Sequence, residues 1–164
     1  MPAEAPAILH REGGLVVAQI GMVCVAVWRA DSTVARVGRQ SEALGRVVRQ
    51  APGQAAFFCV IEPSSAPPND KAREASSAML RSYGTDLVAT AVVIEGSGFR
   101  ASIVRSVASG IVWLARSRSK VPVSYFADVE AGATWMAGHV PLRSLEDFIR
   151  SIEATRELLA GSQS

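Results

Sequence analysis

The chain has 164 residues, of which 49 % are apolar and 20 % charged, and its net charge is +2. This length fits one domain, and it allows a core that needs neither disulfides nor metals to hold it together. Fifteen of the seventeen basic residues are arginines, but they are scattered along the chain, which argues against a nucleic-acid-binding surface. No run approaches the ~20 apolar residues of a membrane span, so no span is expected.

The two cysteines and the N-terminal residues indicate the cellular compartment in which the protein is expected. Cys24 and Cys59 lie inside apolar, strand-like runs, where buried and reduced thiols are expected. Residues 1–12 carry charged side chains ahead of the first apolar run, so they do not resemble a signal peptide. We therefore expect a cytoplasmic protein with a flexible N-terminal tail over residues 1–12 and a single domain over residues 13–160.

The domain begins with two short apolar runs that flank Gly21. This spacing predicts a β-hairpin over residues 15–29, with a single bent strand as the alternative because the turn dipeptide is not a strong one. Apolar residues at helical spacing then predict an amphipathic helix from residue 33 to the break at Ala51-Pro52-Gly53. The run AAFFCVI over residues 55–61 is short, apolar and not alternating, which indicates a buried strand.

The centre of the chain repeats this strand-then-helix pattern. Prolines and serines fill residues 62–69 and predict a rigid loop before a helix over residues 70–83. The almost unbroken apolar run of residues 87–94 predicts a second buried strand. A glycine turn and a helix ending at Arg116 follow this strand.

The C-terminal part adds one strand and two helices. Pro122 stands at the start of a strand over residues 121–126, which favours a position at the edge of the sheet. Asp128 caps a short helix over residues 129–137. Residues 142–160 form an amphipathic C-terminal helix, because their apolar residues recur at helical spacing.

The predicted order of elements is β-β-α-β-α-β-α-β-α plus the C-terminal helix. Strands that alternate with helices imply right-handed crossovers and a mostly parallel sheet, and the initial hairpin makes the sheet mixed. The expected fold class is therefore α/β, with a mixed, mostly parallel sheet of about five strands and covering helices.

Three stretches and the element order give the chain a resemblance to a known family. The stretches MVCVAVWRADSTV, VVIEGSGFRASIVRSVASGI and SYFADVEAGATWM are similar to the STAS or SpoIIAA-like architecture of anti-sigma-factor antagonists. The last of them is similar to the ending of bacterial STAS/SEC14-type proteins. The resemblance covers residues 13–138. It implies a STAS/SpoIIAA-like fold and a non-enzymatic regulatory domain that acts through protein–protein contact.

The same resemblance indicates where a phosphate would be added. Many antagonist-type STAS domains carry an Asp-Ser-Ser/Thr-Gly phosphoacceptor motif after the third strand. At the equivalent place this chain has Ser64 and Ser65, which become the candidate phosphoacceptors. The Asp and Gly of the motif are missing, since the segment is Glu62-Pro63-Ser64-Ser65-Ala66-Pro67, and here the chain departs from the family pattern.

The turn Gly96-Ser97-Gly98 joins a predicted strand to a predicted helix, at the edge where open α/β sheets bind ligands. Free N–H groups at a helix start attract anions, and Arg100 and Arg105 would add positive charge. The turn is neither a GxGxxG motif, since residue 101 is alanine, nor a Walker loop. Its glycines serve either a sharp strand-to-helix turn or a contact with an anion or a partner, and both interpretations stay open.

The sequence holds no catalytic or metal-binding pattern. His10 and His139 stand apart from other metal-ligand residues. The G-x-S-x-G motif of a nucleophile elbow would need glycines at positions 95 and 99 around Ser97, and these are Glu and Phe. We therefore expect no enzyme activity, no metal and no cofactor, with a hydrolase as the remote alternative.

The expected partner is another protein. The contact region is the loop of residues 62–69 together with the turn at residues 96–100, because both follow the carboxyl ends of strands. The alternative is a small-molecule or lipid-binding module with an apolar pocket of at least ~300 Å³ between the sheet and the helices. The C-terminal helix either packs on its own domain or forms a homodimer interface.

Overall fold

The computed structural model of the protein describes residues 5–98, 102, 104–107, 110 and 122–160. Six strands have the bounds β1 Ala7–Glu12, β2 Leu15–Ile20, β3 Val23–Trp28, β4 Ala55–Ile61, β5 Leu87–Ile94 and β6 Val123–Phe126. The helices with described bounds are α1 Val34–Gln50, α2 Asp70–Tyr83, α3 Val129–Ala137 and α4 Leu145–Ala160.

The six strands form one sheet in which the order along the chain is also the order in space, from β1 to β6. The pairs β1–β2 and β2–β3 are antiparallel, as the predicted hairpin requires. The pairs β3–β4, β4–β5 and β5–β6 are parallel. The predicted α/β class with a mixed, mostly parallel sheet is confirmed. The strand β6, which begins directly after Pro122, lies at the edge of the sheet as predicted.

The prediction of a flexible tail over residues 1–12 and of about five strands is wrong at one element. Residues 7–12 form β1, a sixth strand that pairs along β2. An edge strand buries little apolar surface, and β1 is mostly exposed or half-buried, with Ile8 42 % exposed. Its mixed composition, AILHRE, is therefore that of an edge strand rather than of a tail. Residues 1–4 lie outside the described residues.

Alternation along each strand divides the core into two layers. On one face Cys24, Ala26 and Trp28 of β3 pack against α1 and α2. On the other face Val23, Val25 and Val27 of the same strand pack against α3 and α4. The strands β3, β4 and β5 are neighbours in chain order, and right-handed crossovers between them place both connecting helices on the same face of the sheet. This explains why α1 and α2 lie together. The helices α3 and α4, which follow β6, lie on the other face.

Side-chain caps define where the helices begin. Thr33, Asn69 and Asp128 each accept a hydrogen bond from the backbone N–H three residues later. Ser144 does the same for Asp147, so the C-terminal helix begins at Leu145 and not at residue 142. Each cap satisfies an N–H group that the helix itself leaves unpaired.

The predicted helix after the glycine turn is described only in part. Ser102, residues 104–107 and Gly110 are helical, and the Ser102 N–H donates to the Gly98 carbonyl over 3.1 Å. The rest of that prediction, up to Arg116, lies outside the described residues, as does residue 121 of the predicted edge strand.

Close packing of α3 on the sheet generates a stability prediction at Gly132. A Cβ at this position would lie 2.9 Å from Val93 Cγ2 and 3.1 Å from Phe58 Cζ, both in the core. We expect Gly132→Ala to lower the free energy of unfolding by about 1–3 kcal/mol, because the packed ring and methyl have no space to retreat. Urea unfolding at neutral pH measures this change.

Gly38 provides the matched control, since it is also helical but a Cβ there meets nothing within 4 Å. We expect Gly38→Ala to raise the free energy of unfolding by about 0.5–1 kcal/mol through helix propensity alone. If both variants are stabilised, α3 does not lie against the sheet as closely as described.

Candidate functional site

Three charged residues lie side by side where the central parallel strands end. Arg29, Glu62 and Glu95 each follow the last residue of β3, β4 and β5. The ladder continues into these positions, because the Glu62 N–H donates to the Trp28 carbonyl over 2.8 Å and the Glu95 N–H donates to the Ile61 carbonyl over 3.0 Å. Their side chains therefore meet at the carboxyl edge of the sheet.

Arg156 of α4 completes a set of four that we call the carboxyl-edge network: Arg29, Glu62, Glu95 and Arg156. The Arg156 guanidinium binds Glu95 with two hydrogen bonds, Nη1 to Oε1 at 2.6 Å and Nη2 to Oε2 at 3.0 Å. Its Nη1 also lies 3.4 Å from Glu62 Oε2. The Arg29 Nε donates to Glu62 Oε1 over 2.5 Å and its Nη2 donates to Oε2 over 3.2 Å.

The network balances two positive and two negative charges in a partly buried place. The Glu62 side chain is only 8 % exposed, so its charge needs the two guanidinium groups beside it. The hydrogen bond from Arg156 to Glu95 raises the pKa of Arg156, and the bond from Arg29 to Glu62 raises the pKa of Arg29. Both arginines therefore keep their charge well beyond physiological pH.

Two loops cover the network, and we call their described residues, 62–69 and 96–98, the carboxyl-edge surface. The Ser64 hydroxyl donates to the Arg29 carbonyl over 2.8 Å, and the Ser65 hydroxyl donates to the Ala30 carbonyl over 3.0 Å. Gly96 lies against Pro63, since a Cβ on Gly96 would be 3.2 Å from the proline Cβ. The prediction that loop and turn are neighbours is confirmed.

The predicted anion-contact residues have different surroundings. Gly96, Ser97 and Gly98 are exposed, and both glycines have positive φ, at 101° and 93°, which other residues rarely adopt. Arg105 donates from Nη2 to the Gly96 carbonyl over 2.8 Å, so it stabilises the turn. Arg100 lies outside the described residues.

The two candidate phosphoacceptors also differ. Ser64 is exposed, whereas Ser65 is only 3 % exposed and its hydroxyl is used in the bond to Ala30. A kinase that acts on Ser65 would have to open the loop first, while Ser64 is accessible in the folded protein. Phosphorylation at Ser64 stays a prediction.

The histidines lie in other contacts. His10 Nε2 is 2.9 Å from Glu12 Oε1 on the edge strand. His139 Nδ1 is 2.9 Å from the Trp135 carbonyl, and the two rings are 4.1 Å apart. Among the described residues no three His, Cys, Asp or Glu side chains are grouped so that they could hold a metal ion.

Sequence reasoning missed the carboxyl-edge network. A signal for half of it was present, because neighbouring strands end in the same dipeptide, Ile61-Glu62 and Ile94-Glu95. Identical acidic residues at the ends of adjacent parallel strands predict a pair of carboxylates that needs a cation between them. The identity of that cation was not visible, since Arg156 is 61 positions away from Glu95.

No protein-family model matches the chain, and neither a curated protein nor a solved structure matches it. Within the part of the chain that the structure describes, none of the helices combines the length and the apolar character that a membrane crossing needs.

Arg156 is the residue on which the network prediction rests. We expect Arg156→Met to lower the free energy of unfolding by about 2 kcal/mol, because Glu95 loses both hydrogen bonds and Glu62 loses one of its two cations. The measurement is urea unfolding at neutral pH and low salt.

Arg150→Met is the control on the same helix. Arg150 is 59 % exposed and pairs with Glu146 and Asp147 at ordinary helical spacing. Such exposed pairs contribute about 0.3–0.5 kcal/mol each, so this variant should lose under half of what Arg156→Met loses. Equal losses in the two variants would contradict the role assigned to the network.

The buried thiols predict how stability depends on alkaline pH. Burial raises the pKa of Cys59 to about 12 from an ordinary value of 9.0, and burial also raises the pKa of Cys24. Because a buried thiol is harder to ionise than an exposed one, its contribution to the free energy of unfolding is fully present below pH 9 and is lost as pH rises toward 12. At pH 10 the folded protein should have lost about 1.4 kcal/mol for each thiol relative to pH 7.

Variants isolate this effect from the titration of tyrosine and lysine. The double variant Cys24→Ala, Cys59→Ala will be less stable at pH 7, because two small cavities form. Its further loss between pH 7 and pH 10 should be smaller than that of the wild type, by about 2–3 kcal/mol for the two thiols together. Parallel losses in the two proteins would show that the thiols are not buried as described.

Proposed function

We propose that this protein is a non-enzymatic regulatory domain, STAS/SpoIIAA-like in type, that binds another protein through the carboxyl-edge surface. The proposal rests first on position. In open α/β sheets, binding sites form beyond the carboxyl ends of the strands, where residues 62–69 and 96–98 lie.

The observation that carries the proposal is that these exposed loops are held rigidly. Four contacts fix them: the hydroxyls of Ser64 and Ser65 on the segment that follows β3, Pro63 on Gly96, and Arg105 on the Gly96 carbonyl. A loop that is already ordered loses little conformational entropy on binding. Exposed loops fixed on a rigid scaffold are the usual location of recognition residues.

The chemistry of the surface favours a protein partner over a simple anion. Its exposed residues are uncharged, namely Pro63, Ser64, Asn69, Gly96, Ser97 and Gly98. The charges beneath them are paired within the network. The described cation next to the turn, Arg105, already donates to a backbone carbonyl. Small polar and glycine residues supply adaptable hydrogen bonds to a protein surface.

Affinity capture with three matched variants tests this proposal. Ser64→Arg and Ser97→Arg each place a bulky charge on the carboxyl-edge surface, and both serines are exposed, so the fold should tolerate them. Ser64→Arg also removes the hydroxyl bond to the Arg29 carbonyl, whereas Ser97→Arg adds the charge alone. Thr85→Arg places the same charge at the opposite edge, just before β5 begins. Thermal unfolding of all three variants serves to establish that they are folded.

We expect the first two variants to lose a partner that the wild type and Thr85→Arg retain, by at least tenfold in quantitative mass spectrometry of the captured proteins. Binding of the purified partner, measured by calorimetry, should show the same order. An identical set of captured proteins for all four chains would contradict the proposed surface.

The homodimer through the C-terminal helix stays a prediction. The apolar side chains Phe148, Ile152 and Leu159 of α4 are at most 3 % exposed and pack on the sheet of their own domain. A second copy of the chain would therefore contact the charged face of α4, at the start of which Leu145 lies. A self-contact of that kind would be polar and sensitive to salt.

A further inference from the structure

A second feature of the fold lies on the other face of the sheet from α4. Between the sheet and the helices α1 and α2 there is a partly enclosed cavity of about 90 Å³. The strands β3, β4 and β5, the two helices, the loop residues Ser32 and Pro68, and Val104 all contribute to its lining. The lining residues that matter here are Trp28, Cys59, Thr90, Pro68, Ser76 and Leu80.

We propose that this cavity binds a small, mainly apolar molecule of about three or four non-hydrogen atoms that carries one hydrogen-bonding group, such as a short-chain alcohol. The size follows from the volume, since each water in the liquid occupies about 30 Å³. The cavity is well short of the ~300 Å³ expected for a lipid or drug-sized ligand, so the larger ligands of that alternative do not fit here.

The walls of the cavity are fixed by a chain of side-chain contacts. The Trp28 Nε1–H donates to Gln40 Oε1 over 2.7 Å, and Gln40 Nε2 donates to Met79 Sδ over 3.3 Å. This links β3, α1 and α2 around the space. Because the indole and the thioether are held in place, neither side chain turns inward to fill it. A cavity with fixed walls keeps its affinity for a matching ligand.

Two hydroxyl groups give the cavity its polar contact. Thr90 is only 1 % exposed and Ser76 is half-buried, and both line the cavity. No hydrogen bond joins either hydroxyl to another described residue, but neither oxygen is fully enclosed, since the fully buried side-chain atoms without a partner in that part of the chain are Arg36 Nε, Ser77 Oγ and Arg156 Nε. A ligand oxygen in the cavity would therefore replace water as the partner of these hydroxyls.

A cavity elsewhere in the molecule serves as an internal comparison. It has nearly the same volume, about 100 Å³, but charged and polar residues contribute to its lining, among them Arg143, Ser144 and Asp147. Both cavities are partly open to solvent, and apolar surface makes up a larger share of the lining in the first one, which favours xenon and small hydrocarbons there. The two cavities should therefore be distinguished by the same probe.

The experiment uses xenon and 2-propanol with the full chain labelled at methyl groups. Under xenon pressure we expect saturable chemical-shift changes at the methyls of Met79, Leu80 and Val92, which line the apolar cavity. Ile20 and Leu142, at the comparison cavity, should show only the small linear drift caused by pressure. Saturation at Ile20 and Leu142 alone, or at no methyl, would overturn the proposal.

Three variants assign the effect to the cavity. Ser76→Leu fills the space from α2 and should abolish saturable xenon binding, while Ala78→Leu, on the exposed side of the same helix, should leave it unchanged. If Ser76→Leu does not fold, Cys59→Met fills the space from the sheet. Xenon binding that persists in a folded, filled variant would also overturn the proposal.

The hydroxyl contact has a test of its own. Thr90→Val keeps the shape of the side chain and removes only the hydroxyl, so xenon should bind as before. 2-Propanol, titrated against the same methyl signals, should bind about threefold to tenfold more weakly to this variant, a loss expected for one hydrogen bond. Unchanged 2-propanol affinity would remove the hydrogen-bonding group from the proposed ligand.

Discussion

The contact between Arg156 and the two glutamates is the constraint on which the carboxyl edge depends. A glutamate follows directly after each of the adjacent parallel strands β4 and β5, and the strand register brings both carboxylates to one edge. A carboxylate as buried as Glu62 is stable only next to compensating charge, since removal from water costs several kcal/mol per ion. Arg29 and Arg156 supply that charge from the third strand and from the C-terminal helix.

The contacts of Arg156 link α4 to the two glutamates from which the covering loops extend. Glu62 is the first residue of the loop 62–69, and Glu95 immediately precedes the glycine turn. The position of both loops is therefore coupled to the position of α4, which packs its apolar side on β2 and β3. A displacement of α4 would remove a cation from beneath both loops, so the helix acts on the carboxyl-edge surface without belonging to it.

Most of the fold followed from local pattern, whereas the network and the cavity did not. The apolar runs at residues 55–61 and 87–94 and the cap at Asp128 are local signals that needed no tertiary information. The strand β1 was missed because an edge position relaxes the need for apolar residues. Arg156 and the cavity depend on which distant side chains meet, and that is decided by packing between layers and not by spacing along the chain.

The loop of residues 62–69 contacts residues on both sides of the sheet. Its first residue, Glu62, contacts Arg156 on the α4 side, while Pro68 near its end forms part of the cavity wall on the α2 side. Prolines restrict the backbone between these two points, so a change at one end is not easily absorbed along the loop. A ligand against Pro68 and a displacement of α4 would therefore act on the same segment, and that segment holds half of the exposed residues of the carboxyl-edge surface.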